Sequence, residues 1–250
     1  MAMSARHRRH EVRNEVIAEL LPPLLPAGKV LDLGTGTGEL AHRLKELGYD
    51  VEAADIDPSR CQYPDIAVRA CDIMSGLPYA DGTFDALVLA EVIEHLEDPF
   101  KGARELNRVL RPGGVLVLTT PNYGNIETRI HYLFTGCIPR PLEGRLETPR
   151  AGRAHHHISP MTFVRLRYLL MTNGFELACM RTCIPKRKSW LLFPVVALIW
   201  LTLRCLWSRA RRQTYLVREQ MKLILGGRSL ITVSRKRKDA TDTEDGLTSV

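Results

Sequence analysis

Val30-Leu31-Asp32-Leu33-Gly34-Thr35-Gly36-Thr37-Gly38 decides the reading of this chain. Val30 to Leu33 is a short, largely aliphatic run of strand length, and it stops at glycines on every second residue. Glycine turns the backbone tightly and lets a ligand approach the peptide plane where a Cβ would clash, so the run reads as a strand-to-helix turn that cradles a flat, charged molecule. Asp55 stands seventeen residues beyond Gly38, at the end of a second aliphatic run, Val51 to Ala54. A carboxylate there can accept both hydroxyl hydrogens of a ribose, with Asp57 as the alternative. A dinucleotide turn calls for Gly-x-Gly-x-x-Gly/Ala, but the sixth position here is Glu39. The carboxylate of Asp32 beside the turn also argues against a phosphate ligand.

Working outward, short aliphatic runs alternate with helical patterns, which predicts an α/β fold built from βαβ units around a parallel sheet. Glu39 to Leu47 reads as a helix closed by Gly48, Val51 to Ala54 as the second strand, and Ile66 to Ala70 as a short third. Phe84 to Ala90 is apolar enough to be a strand buried on both faces. Asp98 and Pro99 form an N-cap and first-turn pair for a helix that turns Phe100, Ala103, Leu106 and Leu110 inward until Pro112-Gly113-Gly114 breaks it. Val115 to Thr119 is the fifth strand. The text from 122 to 159 is irregular and too long for a bare loop, so it reads as a substrate-covering insertion. Pro160 opens another helix with Phe163, Leu166, Leu169 and Leu170 on one side. Strands over Phe175 to about Met180 and Ser229 to Val233 follow.

This divides the chain into an N-terminal helix or arm (1–28), a ligand-binding core (29–121), the insertion (122–159), a C-terminal part (160–235) and a polar, disordered tail (236–250). With 45% hydrophobic and 25% charged residues the composition is that of a globular domain. The net charge of +7 favours anionic partners, but it is concentrated at the N-terminus and after residue 184 rather than over the core, which makes nucleic acid an unfavoured partner. Cysteines at 61, 71, 137, 179, 183 and 205 form no C-x-x-C pair and no zinc-ligand spacing, as expected of separate thiols in a reducing cytoplasm. The first ten residues carry no apolar core of a secretory signal.

Four pieces in order carry a resemblance: V-L-D-L-G-T-G-T-G at 30–38, A-D-I-D at 54–57, F-D-A-L-V-L-A-E-V-I-E-H-L from Phe84, and L-R-P-G-G-V-L-V-L-T-T-P-N ending at Asn122. Over roughly Val30 to Pro121 the chain resembles the class I S-adenosylmethionine-dependent methyltransferases, in particular the bacterial group similar to ubiquinone-biosynthesis methyltransferases. The resemblance implies S-adenosyl-L-methionine as cofactor. It implies that Asp32 with Gly34, Thr35, Gly36 and Gly38 holds the methionine portion, and that Asp55 and the adjoining Ile56 hold the ribose side. Asp72 with Ile73 would meet the adenine, and Ala90 and Glu91 would line the sulfonium. It also implies a Rossmann-like, doubly wound, seven-stranded sheet, mostly parallel, whose last strand, Ser229 to Val233, runs antiparallel.

Methyl transfer from a sulfonium is an in-line displacement, so alignment and desolvation are the enzyme's main contribution. An oxygen or nitrogen acceptor can still need a base, and Glu91, Glu94 and His95, with His155, His156 and His157, are the candidates. His157 closes the run that returns over the cofactor. If a helical turn starts at Glu91, then Glu91, Glu94 and His95 share one face and could hold a divalent cation. Glu-x-x-Glu-His resembles the metal-assisted O-methyltransferases of ubiquinone synthesis and of small-RNA 2′-hydroxyls. The bland reading, dipole-offsetting glutamates and a packed histidine, is preferred, so a metal is not favoured.

Trp190 to Leu203 is fourteen residues without a charge, preceded by Lys186, Arg187 and Lys188 and followed by Arg204, Arg209, Arg211 and Arg212. Such a segment suits a membrane interface, giving a peripheral contact through 186–212 and a lipid-like acceptor. Equally it suits an apolar helix (190–207) packed on the sheet or between copies. The acceptor is not identified by the sequence; a small molecule or lipid, methylated at oxygen or carbon, is the reading. An RNA-modifying activity through Arg235-Lys236-Arg237-Lys238 is the competing reading, weakened by the absence of interleaved aromatics. Oligomeric state is not legible.

Overall fold

A computed structural model of the chain describes residues 5–138, 157–183, 191, 193–210 and 222–238. Helix α1 (Ala5–Leu20) precedes β1 (Lys29–Leu33), α2 (Glu39–Glu46), β2 (Asp50–Asp55), β3 (Val68–Ala70) and β4 (Phe84–Ala90). Then come α3 (Pro99–Val109), β5 (Leu110–Pro121), α4 (Ile126–Thr135), α5 (Phe163–Thr172), β6 (Phe175–Cys183), α6 (Phe193–Leu206) and β7 (Ser229–Lys236). The seven strands form one sheet in the order β3-β2-β1-β4-β5-β7-β6. The first five are mutually parallel, and β7 runs antiparallel to both neighbours.

Successive strand residues face opposite sides of a sheet, so the alternation within β1, β4 and β5 feeds two cores. Leu31, Leu33, Leu87, Leu89, Leu116 and Leu118 pack with α3 and α5. Val30, Val88, Val115 and Val117 pack on the other face with Ile17 of α1, Leu21 just past its end, and Leu40 and Leu44 of α2.

Local chemistry sets the boundaries. Asp98 Oδ1 accepts from the backbone N–H groups of Phe100 (2.9 Å) and Lys101 (3.0 Å), and Pro99 follows with its φ already helical, so α3 starts where its sequence predicts. Its end differs from expectation. The helix stops at Val109, and Pro112-Gly113-Gly114 lies inside β5 as an irregularity, because Phe84 pairs with Leu110 and Ala86 already with Val115. Proline cannot donate to the ladder and Gly113 takes φ +75, which together loop the extra residues out. Helix α5 begins at Phe163, not at Pro160, because the Thr162 hydroxyl caps it by accepting from Arg165 N–H. Its buried side chains are the expected four.

The connections position the site. Ser229, which opens β7, pairs with Pro121 at the end of β5 and with Cys183 at the end of β6. The segment after β5 and both ends of the β6-to-β7 connection therefore lie at one edge of the sheet, where β1, β2 and β4 also end. All six cysteines are unpaired. Among the described residues no helix is long and apolar enough to cross a membrane.

Candidate active site

The β1-to-α2 turn is built as its glycines require. Gly34, Gly36 and Gly38 take φ of +77, +57 and +82. A Cβ on Gly34 would lie 2.3 Å from Val92 Cγ2, and one on Gly38 2.5 Å from Cys61 Sγ. The N–H groups of Gly34 and Thr35 both donate to the carbonyl of Ala54, tying the turn to β2 (2.7 and 3.2 Å). Asp55 is buried and accepts from Gly36 N–H at Oδ2 (2.8 Å) and from Asp57 N–H at Oδ1 (2.9 Å). A carboxylate has about four acceptor directions, so each oxygen keeps one for a ligand hydroxyl. Asp57 is spent otherwise: it accepts from Ser59 and caps the short turn Pro58–Arg60. Ile56 projects its side chain to solvent beside Asp55, 64% exposed, a flat apolar face at the mouth of the turn. Asp72 is exposed and accepts from Met74 N–H, while the Ile73 side chain is buried in the core, which leaves the backbone of Ile73 for any ligand contact.

Asp32 shares the face of Val30, the face that α1 covers. It is buried and accepts from the Thr35 hydroxyl at 2.6 Å. Burial pushes its carboxyl up to about 6, against the Thr35 hydrogen bond and the positive charge of Arg13. Arg13 is itself only 8% exposed, and among the described residues its hydrogen bonds go to Asn14 Oδ1 alone. A buried guanidinium held by one neutral acceptor, beside a ligand turn, is suited to a carboxylate. The signal for it is helical spacing: Arg13 and Ile17 fall one turn apart on the buried stripe of α1, which Leu21 continues just past its end.

A second group of side chains gathers past β4. Glu91 is the one non-glycine residue with positive φ (+62) among the described residues. Its N–H donates to Thr119 of β5, and its Oε1 accepts from the Ser229 hydroxyl of β7 at 2.9 Å. Such a backbone costs about 1–3 kcal/mol and collects at functional sites. No α-helical turn starts at Glu91: Ile93–His95 is a 3-10 turn, so the expected Glu91–Glu94–His95 face does not form. Instead the ligand atoms of Glu94, His95 and His157 lie within 4.8 Å of one another. Ser159 causes this by donating its N–H to the Glu94 carbonyl (2.9 Å) and its hydroxyl to that of Leu96 (2.8 Å), which pins the returning chain. His157 meets the His95 ring edge to face at 4.9 Å, and its Nδ1 lies 2.8 Å from the Tyr123 hydroxyl. Glu94 is fully buried, and neither carboxyl oxygen has a hydrogen-bond partner. Burial, with the Glu91 charge adding, pushes its carboxyl well above the ordinary range. His155 and His156 lie outside the described residues.

A family model described as a methyltransferase domain matches residues 4–179, from α1 to within β6. The chain belongs to the class I S-adenosylmethionine-dependent methyltransferases. It is 35% identical over 117 residues to a probable S-adenosylmethionine-dependent methyltransferase of Mycolicibacterium smegmatis (44% of each chain). It is 33% identical over 112 residues to a demethylmenaquinone methyltransferase of Renibacterium salmoninarum (42% of this chain, 47% of that one). The matches thus span less than half the length of these curated relatives. A methyltransferase structure from Archaeoglobus fulgidus shares the fold over 94% of this chain and all of its own, with TM-score 0.58 and 15% identity.

The glycine turn, Asp32 and Asp55 lie together, and Ile56 adjoins them. Ala90 and Glu91 end β4 next to them. Arg13, Tyr123 and Ser229 escaped the sequence reading, because their partners lie on elements far away in the chain.

Proposed function

We propose that the protein methylates an apolar, lipid-like small molecule, at an oxygen or at a carbon activated by one, using S-adenosylmethionine. The observation that carries the acceptor half is the Glu94–His95–His157–Tyr123 group, closed in by Ser159 at the end of β4. The relative named demethylmenaquinone methyltransferase supports an apolar acceptor.

The residues fit the cofactor: the turn offers room that a Cβ would fill, and Arg13 is a buried cation suited to a carboxylate. When bound, S-adenosylmethionine supplies a methyl carbon made electrophilic by the sulfonium. Asp32 and Arg13 would hold its ammonium and carboxylate ends, Asp55 would accept from the ribose hydroxyls, and Ile56, Asp72 and the Ile73 backbone would meet the base. Glu91, fixed by Thr119 and Ser229, keeps a carboxylate at the end of β4, next to Ala90. Burial pushes the Glu94 carboxyl toward its protonated form, so the role of base passes to His157, paired with Tyr123 and packed against His95. These side chains hold the acceptor hydroxyl and take its proton, while the closed surroundings exclude water.

Labelled methyl groups from S-adenosylmethionine, offered fractionated lipid, small-molecule and RNA extracts, should appear in lipid. His157→Ala should lower turnover about 100-fold, the low end for a lost base, with cofactor affinity unchanged. Label in RNA alone, or full turnover by this variant, defeats the reading. A second reading, a divalent cation on Glu94, His95 and His157, is favoured by their ligand atoms converging within 4.8 Å. It predicts metal in the purified protein and loss of turnover on chelation; unchanged turnover removes it.

A further inference from the structure

We infer that α4 and α6 form a face that docks on an anionic bilayer, presenting the cofactor edge of the sheet to the lipid. The inference rests on the proposed apolar acceptor only for what the face is used for.

Topology supplies the first argument. Because β7 is antiparallel, the segment bearing α4 and the connection bearing α6 both spring from the edge where the glycine turn, Asp55 and Glu91 lie. Surface chemistry supplies the second. On α4, Leu133 and Phe134 stand in solvent, Phe134 at 81%. On α6, Leu198 and Leu201, three residues apart on one face, and Leu206 do the same, Leu206 at 80%. Exposed apolar side chains on two separate insertions at one edge make more than the scattered leucines of an ordinary surface. Helix α6 has 14 residues, so it is about 21 Å long, short of a hydrocarbon core of about 30 Å. It suits lying in an interface rather than spanning one. The Arg204 guanidinium stacks 5.0 Å from the Trp200 ring, a pairing of the two side-chain types that settle at headgroup depth.

Charge decides the occupant. The 42 residues between Glu176 and Glu219 hold nine lysines and arginines and no aspartate or glutamate. A symmetric contact between two copies would bring two stretches of like charge together, whereas anionic headgroups complement that charge.

Flotation of the full chain with phosphatidylcholine vesicles, with and without phosphatidylglycerol, tests the inference. The chain should float with the anionic vesicles and stay behind with the neutral ones, and high salt should release it. Combined Leu133→Ser, Phe134→Ser, Leu198→Ser and Leu201→Ser should reduce the floating fraction about tenfold while cofactor affinity by calorimetry stays the same. Quenching of tryptophan fluorescence by brominated lipid on the unaltered chain should report insertion without any substitution. Absent flotation, flotation indifferent to phosphatidylglycerol, or a dimer in sedimentation that the same four substitutions dissolve would each overturn docking. A chain that floats but takes no S-adenosylmethionine would strike the methyltransferase reading and leave docking standing.

Discussion

Asp32 sits close to its titration point because burial opposes its charge more strongly than Thr35 and Arg13 support it. Its folded value of about 6 lies above the ordinary 3.8, so the carboxyl's contribution to stability is full below about pH 4 and is lost as pH rises through 6. Two units correspond to about 3 kcal/mol. Asp32→Asn should therefore raise the thermal midpoint at pH 8 and change it little at pH 4, measured by calorimetric unfolding. Cofactor affinity should respond in the opposite sense: in the native chain it should weaken as pH falls through 6, since a neutral acid cannot pair with an ammonium, and the variant should bind poorly at every pH. Asp32, Asp55 and the glycines were legible because a carboxylate beside a glycine turn has few other uses. Arg13 was not, because an arginine among charged neighbours on a terminal helix looks solvated until the stripe it shares with Ile17 and Leu21 is found buried. The left-handed backbone of Glu91 leaves no trace in residue type, and the upward push on the Glu94 carboxyl comes from burial by segments distant in the chain.

The turn from β1 to α2 is the element to which we assign cofactor binding, and Gly34 tests it. An alanine there would take a strained φ and drive its methyl into Val92, so Gly34→Ala should cost about 1–3 kcal/mol in chemical denaturation and abolish cofactor binding. Strand β4 and the start of α3 fall at their predicted residues because each is fixed locally, by an unbroken aliphatic run and by an Asp-Pro cap. Other ends moved for reasons of pairing. Strands β6 and β7 extend past their aliphatic stretches to Cys183 and Lys236 because each residue finds a ladder partner on the other. The Pro-Gly-Gly of β5 was read as a break, yet the sheet absorbs it as an irregularity. The apolar run of α6 was legible as apolar and no further, since hydrophobicity alone does not say whether a helix faces protein, lipid or water. Its neighbours Trp190, Lys186, Arg187, Lys188, Arg211 and Arg212 lie outside the described residues.

The groups we assign to the cofactor lie on five separate elements or their ends: α1, the β1 turn, and the ends of β2, β3 and β4. A ligand held by all of them should stabilise the entire fold: saturating S-adenosylmethionine at a hundred times its Kd adds about 2.7 kcal/mol. The thermal midpoint should rise by roughly 5–11 °C, and a midpoint indifferent to the cofactor would show that these groups do not converge on it. The order of the strands has a consequence for biogenesis. The seventh strand is threaded between the fifth and sixth, and its first serine clasps Glu91. A ribosome delivers that strand after everything it joins. Until it emerges, the nascent polypeptide carries two bare β edges facing each other and a Glu91 carboxylate without its Ser229 partner. Synthesis halted anywhere before Ser229 should leave an aggregation-prone and inert product, so that competence arrives in one late step.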